Sequence, residues 1–301
     1  MKQNFLTLFS IAFIGFATQS CGGETQTSQE SEQPDSSTVV EVQETWGFSS
    51  HGGNSYQVPS PNELFAIIKG SNVPYKENLV NTEPVNYESR KTLALNFGRL
   101  TADIAYTSSY EKYQESMANF ENLRRVGDQL GISYVFDELM VNRVKTNMAN
   151  ADSLEVISTE SYQRIIQQLE ENEAGSILAI IAAGGFVESV YILSNMVGEY
   201  TPDNPIIQRL ADQKLVLENI IDYLNQYADE DERVQEVLTE LQPISDIYLN
   251  MDEERISSQK ATSNGKTILG GSRVIMTKDE FDRLKQAATE YRNTFSNANE
   301  G

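Results

Sequence analysis

The sequence predicts a mainly all-α protein: an irregular multi-helix bundle or helix-hairpin array that ends in a small β-hairpin and a last helix. Three observations predict it. Helix-start signals recur along the chain, as in Ser60-Pro61-Asn62-Glu63, Asn204-Pro205 and Thr277-Lys278-Asp279-Glu280, where a capping side chain is followed by proline or by a glutamate that reaches back to the cap. Gly and Pro are sparse between the helical runs, so loops are short and neighbouring helices mostly antiparallel. Only residues 266–276 (KTILGGSRVIM) read as strand, two short β-rich runs around Gly270-Gly271-Ser272.

The chain opens with Lys2 and an apolar run, Phe5 to Ala17 (FLTLFSIAFIGFA). That run is too short for a comfortable membrane span but suits a signal peptide, here residues 1–20. Thr18, Gln19 and Ser20 follow, and then Cys21, the only cysteine in the chain. This arrangement resembles the signal of a bacterial lipoprotein, with the relaxed cleavage box that looks like those of Bacteroidota. The resemblance covers the first 25 residues or so and implies that Cys21 becomes the lipidated first residue. Several acyl chains on one cysteine hold a protein stably to a membrane. The expected location is therefore the cell envelope, with the outer membrane favoured because Gly22, not Asp, follows the cysteine.

Residues 21–58 are rich in Ser, Thr, Gln, Glu and Gly, and no Lys or Arg occurs from residue 3 to residue 68. Such a segment buries too little apolar surface to offset its ordering entropy, so an acidic, disordered tether is expected. Within it, Trp46, Phe48, His51 and Tyr56 lie close together. Aromatic residues in a tail usually mark where it docks on the domain.

The helical domain is expected over residues 59–250. The Ser60 start leads to Gly70. A long helical pattern runs from Tyr87 to Gly131 with a break near Thr107–Tyr110. Further helices are expected at Tyr134–Met148, from Ser153 to Asn172 with Asp152 as cap, at Ser176–Met196, from Asn204 to Ala228, and at Glu232–Tyr248. Ser176–Met196 is apolar nearly all round, the pattern of a central buried helix. The stretch Tyr110–Gly131 is similar to the second helix of a tetratricopeptide repeat, but no 34-residue period recurs. Residues 251–301 form a separate appendage of hairpin plus helix. They carry 8 acidic and 8 basic side chains, whereas residues 21–250 carry 36 acidic and 14 basic.

Charge and composition narrow the function. With 44 acidic against 23 basic residues, net −21, the chain lacks the basic surface that nucleic-acid binding needs. One His and one Cys leave no ligands for histidine-rich zinc sites or Cys₄ sites and none for internal disulfides. Asp229-Glu230-Asp231-Glu232 lacks the spacing of a calcium loop and reads instead as complement to a helix dipole. No cofactor, metal site or catalytic motif is expected.

Two spacings mark candidate ligand-binding residues. Asn96, Arg99, Asp103, Tyr106, Tyr110 and Tyr113 recur every three or four residues, so they share one helix face. Gly184, Glu188, Tyr191 and Asn195 do the same on the apolar helix, where Glu188 is the only charge between Glu173 and Glu199. A carboxylate there must be paired, protonated or aimed into a cavity. If merely buried, Glu188→Leu would be neutral or stabilising. Gly184-Gly185 would admit a second backbone. If the two helices pack together, Arg99 or Asp103 could meet Glu188.

The leading expectation is a lipid-anchored protein-interaction module with an envelope protein as partner. The alternative is a small-molecule or glycan-binding lipoprotein that uses the Tyr/Asp/Arg-lined groove. A carboxylate-based hydrolase using Asp103 and Glu188 in an open cleft comes third.

Overall fold

A computed structural model describes residues 47–49, 55–57, 64–65, 73–84, 86–147, 151–255, 262–263, 266–267 and 272–296. Its described helices are α1 (Arg90–Ser109), α2 (Tyr113–Leu130), α3 (Glu138–Thr146), α4 (Ala151–Glu171), α5 (Gly175–Met196), α6 (Pro205–Ala211), α7 (Gln213–Asn225), α8 (Glu232–Leu249) and α9 (Lys278–Ser296). All belong to one unit, residues 43–301. The fold is mainly all-α with a C-terminal hairpin and helix.

Local chemistry sets the helix ends. Ser89 caps α1 by accepting from the Thr92 amide, and Asp137 caps α3 by accepting from the Met140 amide at 2.6 Å. Asn204 caps α6 with Pro205 in the first turn, and Asp231, from the acidic run, caps α8. Thr277 and Glu280 cap α9 reciprocally, as the sequence motif requires. Gly131 ends α2 with φ 81°, a left-handed turn that glycine adopts without strain.

Several boundaries differ from the sequence expectation. The long 87–131 pattern does break, at residues 110–112, where Glu111 takes a positive φ. Helix α4 begins at Ala151, so Asp152 lies inside its first turn rather than capping it. Tyr134 sits in a 3-10 turn before α3. The expected 204–228 helix is two helices that meet at Asp212. Of the expected 60–70 helix, Leu64 and Phe65 are described and are helical and buried.

The strands pair in a way the composition did not foretell. Ser272–Val274 pairs antiparallel with Glu253–Arg255, and Thr262–Ser263 with Lys266–Thr267. Gly270-Gly271-Ser272 is therefore not flanked by two strands that pair with each other. Asn264-Gly265 separates the inner strands in sequence, a dipeptide suited to a two-residue hairpin turn. In the expected tether, Gly47–Ser49 pairs with Ser55–Gln57 and sets Phe48 opposite Tyr56. Cys21, Trp46 and His51 lie outside the described residues.

Helix α5 is the centre. It is long and apolar enough to cross a membrane, yet 89% of its apolar window is buried inside the protein. Helix α1 crosses it in backbone contact. A Cβ on Gly98 would stand 1.9 Å from the Ile181 carbonyl oxygen, and one on Gly184 would stand 2.1 Å from that of Leu95. Only glycine permits this approach, and it brings the polar residues of both helices into one junction. Helix α9 packs against α5, α8 and α1.

Candidate functional site

The two polar spacings converge, and they converge in the core. Arg99 Nη1 meets Asp103 Oδ2 at 2.5 Å, one helical turn along α1. Arg292, from α9, places Nε 2.8 Å from Glu188 Oε2 on α5. Its guanidinium stacks on the Tyr191 ring at 4.3 Å from the centroid. Asn96 accepts from Arg99 Nε at 2.8 Å and donates to the Phe295 carbonyl at 2.6 Å, which ties α1 to the end of α9. Tyr87 accepts from Arg99 Nη2 at 3.4 Å.

Burial dominates the electrostatics. Asn96, Asp103 and Glu188 have no exposed surface, and Arg99 keeps 3%. Loss of water pushes the Asp103 carboxyl well above the ordinary range; Arg99 pulls it down and Glu188, in hydrogen-bonding contact with it, pushes it up again. Burial works against charge on Arg292, but Glu188 and Asp103 more than offset it and raise its pKa. Asp103 Oδ1 and Glu188 Oε1 receive no hydrogen bond from any other group.

The remaining predicted residues serve other contacts. Tyr106 accepts from the Lys76 amide at 3.0 Å, and Tyr110 donates to the Val73 carbonyl at 2.8 Å. Tyr75 stacks on Tyr106 at 5.2 Å between centroids. The tyrosines therefore pin segment 73–76 and do not stand as an open wall. Burial raises the Tyr106 hydroxyl to about 12. Asn195 donates back to the Tyr191 carbonyl, and its own carbonyl takes Lys76 Nζ at 2.6 Å.

The other face of α1 is different. Thr101 and Ile104 of α1, Met117 and Phe120 of α2, Met140 of α3 and Ile157 of α4 line a cleft with about 80 Å³ of cavity beneath a mouth open to solvent. Ser108, Ser116, Ser161, Tyr113 and Tyr162 give it a few polar groups, and none of its lining residues is charged. Leu139 on α3 and Val156 on α4, next in the chain to lining residues Met140 and Ile157, are 72% and 54% exposed.

Sequence reasoning brought Arg99, Asp103 and Glu188 to a possible meeting and missed Arg292. A signal was present. The α9 stripe Phe281, Leu284, Ala288, Phe295 carries Arg292 beside it, and Glu188 on α5 needed a cation. The cleft had no sequence signal, because a shortfall of volume leaves no periodicity.

Asp103 and Glu188 thus stand together, but fully buried. Glycoside hydrolysis needs a sugar and a water between or beside its carboxyls, and neither has access here. Comparison with protein-family models, with curated proteins and with solved structures found no match.

Proposed function

We propose that this chain is a lipid-anchored envelope protein whose helical body is a protein-interaction module, with the α1–α4 cleft as its docking site. The observation that supports the reading is the cleft itself, apolar, uncharged and open to solvent. An apolar cavity of roughly 150 Å³ holds a benzene-sized guest. The 80 Å³ here suits one branched aliphatic side chain. Protein interfaces concentrate their energy in a few anchor residues seated in desolvated pockets. Met117 and Met140 add adaptability, since the unbranched thioether fills irregular shapes. The occupant is therefore an uncharged, aliphatic anchor residue of an envelope partner. The anchor at Cys21 supplies the location.

The test is crosslinked capture from intact envelopes by the lipidated full-length chain, set beside Ser161→Phe, which fills the cleft, and Cys21→Ser, which removes the anchor. A stoichiometric partner held by the wild type and lost with Ser161→Phe supports the module. Equal capture by Ser161→Phe overturns the cleft as the docking site. Recovery of Cys21→Ser in the membrane fraction overturns the lipid anchor. Xenon gas, as an apolar probe of the isolated protein, separates the small-ligand alternative: occupancy without any captured partner favours it.

A further inference from the structure

Asp103 on α1 and Glu188 on α5 lie within hydrogen-bonding reach of each other, and both are fully buried. Asp103 uses Oδ2 for Arg99, and Glu188 uses Oε2 for Arg292. The other oxygen of each, Asp103 Oδ1 and Glu188 Oε1, has no donor although both are buried. An ionised carboxylate only accepts hydrogen bonds. Two ionised carboxylates in contact would leave both oxygens unsatisfied and set like charges side by side at low dielectric. One proton resolves both faults, because a protonated carboxyl donates to its ionised neighbour.

We propose that Asp103 keeps a proton that it donates to the Glu188 carboxylate, and that this proton latches α9 onto the α1–α5 pair. The groups that face the two carboxyls are Arg99 on α1, Tyr191 on α5 and Arg292 on α9, with Tyr87 ahead of α1 in contact with Arg99. Of these, Arg99 and Arg292 carry positive charge and limit the gain from protonation, but they do so through the far oxygens. Loss of the proton to solvent leaves two facing carboxylates whose repulsion is relieved only by admitting water. The α1–α5 contact cannot open for that purpose without parting backbone from backbone at Gly98 and Gly184. Helix α9 reaches the junction through side chains instead: Arg292 to Glu188, Arg292 on Tyr191, and the Asn96 bond to the Phe295 carbonyl. It is the element that yields.

The sign follows from linkage. The closed state holds the Asp103 proton more tightly than the open one, so latching is complete below the ordinary carboxyl range and is lost as pH rises through the raised closed-state pKa of Asp103. Between those limits the opening constant grows about tenfold per pH unit.

Two measurements on the full chain test this. Infrared spectroscopy of the wild type at neutral pH should show the carbonyl band of a buried protonated carboxylic acid, lost in Asp103→Asn; absence of that band in the wild type overturns the proposal without any variant having to fold. Hydrogen exchange, corrected for intrinsic rate, should show residues 278–296 losing about tenfold in protection per pH unit in the wild type. The same segment should be level in Asp103→Asn, whose amide donates to Glu188 at every pH. Equal slopes in the two proteins would overturn the latch. Because neither measurement involves the α1–α4 cleft, failure here leaves the proposed docking site standing, and the reverse also holds.

Discussion

The two faces of α1 are built on opposite principles. Towards α5 and α9 the helix is dense: glycine against backbone, and four ionisable side chains interlocked in the core. Towards α2, α3 and α4 it is loose: aliphatic side chains, methionines and an unfilled cavity. The same twenty residues thus supply a rigid seam and an adaptable surface. A seam that tolerates no added atom gives the cleft a fixed wall. Binding energy is then not spent on ordering that wall.

The contrast breaks most visibly at the seam. Gly98→Ala places a methyl 1.9 Å from the Ile181 carbonyl oxygen and 2.6 Å from the Gly185 nitrogen. Backbone cannot swing aside as a side chain can, so the cost should exceed the usual overpacking range of about 1–3 kcal/mol. Urea unfolding of the purified chain measures it. A loss under about 1 kcal/mol would mean that the seam is softer than its distances suggest.

Glu188→Leu is next. Sequence alone made this change neutral or stabilising if the acid were merely buried. The structure supplies Arg292 as partner and removes that premise. The change now strands a guanidinium in the core, an effect of about 3 kcal/mol, at the low end for buried pairs because Arg292 keeps some solvent contact. Adding Arg292→Leu should return most of the loss. A double variant as unstable as the single one would show that the pair is not the source.

On the loose face the sign reverses. Ser161→Phe adds bulk where there is space for it, and cavity filling of this kind commonly gains up to about 1 kcal/mol. A rise of a few degrees in Tm is expected, together with the loss of docking described above. Destabilisation would mean that the cleft is too shallow to admit a ring.

These residues also show what a sequence discloses. Cap chemistry at Asn204 and Thr277 is local and was readable, as were the apolar helix 176–196 and the three- and four-residue stripes that carried Arg99, Asp103 and Glu188. Gly184-Gly185 announced a close approach, and the approach exists. Pairing across long separations was not readable. Arg292 lies 104 residues from Glu188, and a helix pattern says which residues share a face but not which face it meets. The strand register failed for the same reason, since Ser272–Val274 found Glu253–Arg255 rather than the nearer run. The tyrosine stripe looked like a groove wall because the segment that covers it, residues 73–76, has no pattern of its own.

The smallest effect is also the one that separates the faces by pH. Asp103 on the seam is raised by burial, whereas Asp137, at the start of α3 on the cleft side, is lowered. The Met140 amide that Asp137 caps is the main cause; burial opposes it, and Arg164, at 2.5 Å, adds to the lowering. A depressed carboxyl stabilises above its ordinary pKa and ceases to do so as pH falls through its folded value. A raised one does the reverse. Acidification should therefore loosen α3 while α9 stays latched, and alkali should loosen α9 while α3 holds. The Asp137 pair is half exposed, so its change is slight and shrinks further in salt. Hydrogen exchange resolved by segment reads both ends in one experiment, with Asp137→Asn as control. Asparagine still caps the helix but carries no charge, so protection of 138–146 should become level with pH. If 138–146 and 278–296 instead weaken together at the same end of the pH scale, the two faces of α1 are not independent, and the cleft is coupled to the buried charges through the helix they share.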